Sequence, residues 1–263
     1  RQLNREKNDI QPMLDVRLFR NTVFTGAITA NLISMMVDVG FIYFASQHLQ
    51  LVSGLPPMYA GMLLIPGTLA IIIAGLVIAR VAVHFHPAQV VSFGLALHAA
   101  AFAVLAFLGA HNDLVIILIF IVLGTGIGIA QTISNDLMLS SVPPRKAGAA
   151  SAISETSYET GTVLGTVIIG GMLTAVYRAN VVVPDGLDET LADHAHETLG
   201  GAVTVASQVG GEQANQLLSS AFAAFDSGVV LSSAFSAVLM GVMAVISYFM
   251  IRKEPREMKP ADH

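Results

Sequence analysis

The chain has 263 residues, 54% hydrophobic and only 12% charged, with a net charge of -5 and a mean hydropathy of +0.69. Water-soluble domains carry roughly 25% charged residues, so this composition belongs to a chain that lives in lipid. The absence of cysteine removes disulfides and thiolate metal sites and leaves the redox compartment open. Runs of about 20 apolar residues place six membrane spans, at 22–46, 58–80, 88–110, 114–140, 148–178 and 225–251. Lipid offers no partner to open backbone groups, so all six are expected to be helices, and the fold class is all-α, a polytopic membrane protein.

Residues 1–21 are polar and basic, with no signal peptide and no initiator methionine, and read as a cytoplasmic linker emerging from something upstream. In the first span Asn31, Ser34 and Asp38 recur at spacings of three and four and so share one stripe, which suggests the wall of a wet cavity. Counting from Thr22 puts Asp38 roughly 24 Å into the helix, on the outer side of the midplane, as a candidate proton- or cation-binding acid with Asn31 and Ser34 as cavity neighbours. The fourth span holds Gly124, Gly126 and Gly128 as GTGIG, a superficial likeness to a nucleotide loop. No strand precedes it, so close helix packing or a bend accounts for it better. Gln131 and Asn135 follow on a shared face, and Asp136 falls near the end of the span, where it is expected to be hydrated.

The fifth span carries Glu155 and Glu159, one helical turn apart. Carboxylates at membrane depth are costly, and they usually mark a route for protons or cations. Thr162 continues their side of the helix, Tyr158 lies between them in sequence as a ring for packing or for a cation, and Gly161 and Gly165 form a strip for close approach by another helix. Between about 179 and 224 the chain becomes acidic, with Asp185, Asp188, Glu189, Asp193, Glu197 and Glu212 between the breakers Pro184-Asp185-Gly186 and Gly210-Gly211. Apolar residues near helical spacing make this an amphipathic helical hairpin resting on the outer surface, its second arm entering the last span. Residues 252–263 form a cytoplasmic tail. The pairs His84/His86 and His194/His196 offer at most two ligands each, so neither a metal nor a cofactor is expected, nor a nucleic-acid partner or a catalytic triad.

Charge placement orients the bundle. Twelve of the thirteen Lys and Arg fall on the side of the two ends and the second and fourth loops, leaving only Arg178 opposite. By the positive-inside rule both termini are cytoplasmic, which agrees with an even number of spans. Short loops force neighbouring helices to be antiparallel, and six spans suit half of a transporter built from two repeats.

Three runs carry a resemblance: PMLDVRLFRN before the first span, YFASQHLQLVSGLPPMYAGMLLIPG across the first two, and PPRKAGAASAISETSYETGTVLGTVIIGG leading into the fifth. They resemble the carboxy-terminal half of the fourteen-helix drug:proton antiporters of the major facilitator superfamily, with AGAASAISET the most specific piece. Within that family the chain is most similar to the quaternary-ammonium-compound efflux branch. The resemblance implies a six-helix half of a major facilitator bundle in a bacterial cytoplasmic membrane, exporting lipophilic organic cations in exchange for protons. It also implies membrane lipid as surroundings and an amino-terminal transporter half, from the same or a separate chain, as partner. Glu155 and Glu159 match the acids that the branch bears in this helix. Ser154 stands where a second, adjacent acid is expected, Ile71 replaces an acid of the second helix, and Asp38 is an addition, so the substrate range departs from the pattern. The rival readings are a non-transporting membrane scaffold or truncated half, and an exporter of another small metabolite. The last is disfavoured because no cationic residue lies deep in any span.

Overall fold

A computed structural model describes residues 16–110 and 112–252; the expected linker residues 1–15 and tail residues 253–263 lie outside the described residues. Its elements are helical, and six of its helices are long and apolar enough to cross a membrane. We number them in chain order: α1 (Thr22–Gln47, prolonged by a π-helical turn His48–Val52), α2 (Pro57–Val81), α3 (Pro87–Leu108) and α4 (Asp113–Ser140). Helix α5 begins at Ala147–Leu164, passes through a π-helical stretch Gly165–Gly170 and ends as Gly171–Asn180. Two short helices follow, α6 (Glu189–Glu197) and α7 (Leu199–Val209), before α8 (Gly211–Ile251).

Local chemistry sets the boundaries. The Asn21 side chain accepts from the backbone N–H of Val23 and Phe24 and donates to the Ser141 carbonyl, so one residue starts α1 and ties it to the end of α4. His86 and Asn112 cap α3 and α4 in the same way, at Ala88 and Leu114. Gly109 ends α3 at φ 71°, and Gly210 and Gly211, both at φ 63°, make the sharp turn between α7 and α8.

The spans form two layers. Helices α2, α4, α1 and α5 lie side by side, and α3 and α8 pack behind them against α4, α5, α1 and each other. Backbones approach closely through glycine. A Cβ on Gly124 or Gly128 would lie 2.3 Å from the carbonyl oxygens of Gly67 and Ile71 in α2, whereas one on Gly126 would lie 2.7 Å from the Gly94 oxygen in α3. Glycines two apart point to opposite faces of a helix, so GTGIG lets α4 be clasped from both sides. Aromatic contacts fill the middle: Phe41 stacks on Phe120 at 5.1 Å and meets Phe44 and Phe102 edge-on at 4.9 and 6.3 Å. Outward, α2 exposes Met58, Ile65, Leu69, Ile73 and Leu76, a continuous apolar strip that is stable against lipid or another apolar surface and not against water.

The last span starts earlier than the hydropathy boundary at 225. Helix α8 is continuous over 41 residues, roughly 60 Å at 1.5 Å per residue and about twice the hydrocarbon thickness. Its first half leaves the apolar slab, and α7 packs along it with α6 alongside. Residues 211–224 were hidden from a hydropathy window because they are amphipathic: Ala214, Leu217, Ala221 and Ala224 are buried, while Gln213, Gln216 and Ser219 face out. The hairpin is fastened to the end of α5, where the Tyr177 hydroxyl donates to the Ala195 carbonyl at 2.8 Å and Arg178 Nε to the Glu197 carbonyl at 3.0 Å.

Candidate functional site

The run AGAASAISETSYETGTVL builds α5 from small residues, and their spacing fixes its rotation. A Cβ on Gly161 would stand 2.6 Å from the Leu32 oxygen of α1, and one on Gly165 2.3 Å from the Met36 oxygen. With that side pressed against α1, Ile153, Ser154 and Ser157 are buried as well. Glu155 and Glu159 then fall on the far side and are exposed, with neither a hydrogen bond nor an ion pair among the described residues. The hydroxyls around them are spent on their own helix: Thr156, Thr160, Thr162 and Thr166 each donate to the carbonyl four residues back. Two carboxylates are thus the strongest unclaimed acceptors on that side of the span.

Beside the acids lies a polar junction of three helices. Asn135 Oδ1 of α4 accepts from Asn31 Nδ2 of α1 and from the Tyr158 hydroxyl of α5, both at 2.9 Å. Asn135 and Tyr158 are half-buried and Asn31 is buried, so the junction carries polarity from the exposed acids into the bundle. Asp136, the next residue along α4, points outwards and is exposed.

The stripe expected to line an open cavity does not do so in this structure. Asn31, Ser34 and Asp38 are 2%, 1% and 8% exposed, inside the bundle. The reason is that α1 is wrapped by α4, α5 and α8, so its polar stripe meets helices instead of open space. Among the described residues the Ser34 hydroxyl and Asp38 Oδ1 have no hydrogen-bond partner. The acids therefore occupy two different environments: an exposed pair on α5, and a lone carboxyl enclosed behind α1.

At the hairpin end a second polar cluster joins elements that sequence spacing does not connect. His48 Nε2 lies 3.2 Å from Asp113 Oδ1, which also accepts from Ser53 at 2.6 Å, and Asp226 Oδ1 of α8 caps the Ala110 N–H at 2.7 Å. A cavity of about 810 Å³ opens there. Its only sequence signals were Asp226 just inside a hydropathy boundary and Asp113 at a helix start. Among the described residues no three His, Asp or Glu side chains converge as metal ligands.

Residues 2–166 match the family model of the Major Facilitator Superfamily. The chain is 44% identical over 246 residues to the multidrug efflux pump LfrA of Mycolicibacterium smegmatis, covering 93% of this chain and 49% of that protein. It is 31% identical over 253 residues to the methyl viologen resistance protein SmvA of Salmonella typhimurium, covering 94% and 50%, and 25% identical over 268 residues to the tetracenomycin C resistance and export protein of Streptomyces glaucescens, covering 98% and 49%. The chain spans about half the length of these curated relatives. With the family model matching well over half of the chain and two such relatives above 30% identity, this multi-pass membrane chain belongs to the major facilitator superfamily.

Proposed function

We propose that the chain forms one half of a proton-coupled multidrug exporter, with Glu155 and Glu159 as the groups that hold either a proton or a lipophilic organic cation. The observation that carries this reading is the exposure on α5 of two carboxylates that make no hydrogen bond or ion pair among the described residues, in a span otherwise suited to hydrocarbon. A carboxylate left facing lipid is strongly disfavoured, so this side needs a covering surface with a hydrated space between. An amino-terminal transporter half supplies such a surface, and relatives twice as long as this chain have room for one. The names of the relatives point the same way: one is a multidrug efflux pump and another confers resistance to methyl viologen.

Exchange follows from charge. Two carboxylates one turn apart repel when both are ionised, and a bound proton or a bound cation relieves that repulsion, so each ligand weakens the case for the other. The Asn31–Asn135–Tyr158 junction holds α1, α4 and α5 in register beside the pair and offers a ring face to a cation. On this reading both termini and the basic loops are cytoplasmic, the hairpin is on the outer side, and the membrane is the bacterial cytoplasmic membrane.

The test is resistance and dye efflux across a panel of mono- and divalent organic cations, at matched membrane expression in the complete transporter. Glu159→Gln and Glu155→Gln are expected to abolish most efflux, and Asp136→Asn to leave it nearly intact. Wild-type efflux in both glutamine variants, with loss in Asp136→Asn, would move the working site off α5.

A further inference from the structure

Deep in the bundle, on the other side of α1 from the exposed acids, two enclosed groups lack partners. His98 of α3 is 0% exposed, and neither ring nitrogen has a hydrogen bond among the described residues. Asp38 of α1 is 8% exposed, and its Oδ1 is likewise unpartnered. A neutral imidazole carries one N–H to donate and one nitrogen to accept, and leaving both unmet in an apolar interior is unfavourable.

The two groups lie at one level. Phe41 of α1 and Phe102 of α3 meet edge-on at 6.3 Å. Asp38 precedes Phe41 by three residues, roughly 4.5 Å along the helix, and His98 precedes Phe102 by four, roughly 6 Å, on spans that run in the same direction. At about 100° per residue Asp38 lies about 60° around its helix from Phe41, and His98 about 40° from Phe102, so both stay near the sides that carry these two rings. The imidazole stacks on Phe102 at 6.2 Å, and Gly126 leaves it room from α4: a Cβ there would lie 3.2 Å from Nδ1.

Among the described residues no other buried ionisable side chain shares this layer of the bundle. Within α1, α3, α4 and α8, away from the terminal turns, the sequence offers Asp38, His98, Asp226 and the exposed Tyr43 and Asp136. His48, Asp113 and Asp226 lie at the hairpin end, and Asp136 and Tyr248 towards the basic end. Glu155, Tyr158 and Glu159 belong to α5. Ser34, Ser134, Ser232 and Ser233 add buried hydroxyls without partners among the described residues, groups that a bridging water would satisfy.

From this juxtaposition we infer that Asp38 and His98 form a water-bridged buried pair that holds one shared proton, a store separate from the exposed glutamates. One proton between a carboxylate and a neutral imidazole leaves the pair without net charge, whether it rests on the carboxyl or on the ring. An apolar interior favours that count over zero or two. The bridging water donates to one group and accepts from the other, meeting the needs that the protein leaves open.

The test is spectroscopic and does not depend on export. The intact protein, labelled with ¹⁵N-histidine, is placed in lipid nanodiscs, and the imidazole resonances lost in His98→Gln are assigned to His98. Asp38→Asn is expected to shift those resonances, and Asp136→Asn to leave them in place. Reciprocally, the carboxyl infrared band that disappears in Asp38→Asn is expected to shift in His98→Gln, so each variant checks the other through a different group. Indifference of the His98 resonances to Asp38→Asn, or of the Asp38 band to His98→Gln, would overturn the pairing, while leaving the proposal for Glu155 and Glu159 untouched.

Discussion

Replacing Gly165 by alanine probes the contact that sets the rotation of α5. The added Cβ would lie 2.3 Å from the Met36 carbonyl oxygen and 3.1 Å from its carbon, and both partners are backbone, so no rotamer change relieves the clash. The helices must part by about an ångström, and overpacking of this kind costs about 1–3 kcal/mol. Alanine also favours a helix over glycine by roughly 0.5–1 kcal/mol, so the net loss is smaller than the clash alone. Gly171, six residues on, isolates the two effects: a Cβ there meets nothing within 4 Å. Gly171→Ala keeps the helix gain without the clash, and the difference between the two variants returns the packing cost, about 1–3 kcal/mol. The assay is thermal unfolding of purified protein in nanodiscs, with efflux measured in parallel. Gly165→Ala is expected to unfold at a lower temperature than Gly171→Ala and to lose efflux, because parting α5 from α1 also moves the glutamates. Equal stability of the two variants would refute the idea that close α1–α5 approach fixes where those acids point.

Asn135→Ala removes both hydrogen bonds of the three-helix junction. At an average of about 0.6 kcal/mol per interhelical bond in membranes, it is expected to lower stability by about 1 kcal/mol, measured by the same unfolding assay, and to impair efflux beyond that loss. Tyr177→Phe breaks the bond to the Ala195 carbonyl and is expected to speed amide hydrogen exchange in Glu189–Glu197 while leaving α1–α4 unchanged. Cysteines introduced into this cysteine-free chain at Asp188 and Lys146 are expected to be labelled from outside and inside the cell respectively, and the reverse pattern would invert the assigned topology.

Hydropathy exposed the number and class of the spans because lipid makes apolarity the deciding property along each one. It could not show which way each helix turns. The stripe of Asn31, Ser34 and Asp38 is plain from spacing, but α1 is apolar on its other sides too, so no amphipathic pattern says which side meets neighbours. Glycine spacing likewise announced close packing, yet only the structure shows that α2 meets Gly124 and Gly128 while α3 meets Gly126 on the opposite face of α4. Glu155 and Glu159 stood out because a carboxylate in an apolar run is rare. His98 is visible as a lone histidine in an apolar run, but its surroundings, like the His48–Asp113 contact, are assembled from segments distant in sequence.

The central claim is that the glutamates of α5 exchange a proton for a cation. Proton release measures this directly: a lipophilic cation is added to the weakly buffered, purified complete transporter and the change in solution pH is followed. Release is expected from the wild-type protein and its loss from the Glu155→Gln, Glu159→Gln double variant, with Asp136→Asn releasing as the wild type does. Undiminished release from the double variant, with cation binding intact, would contradict that claim.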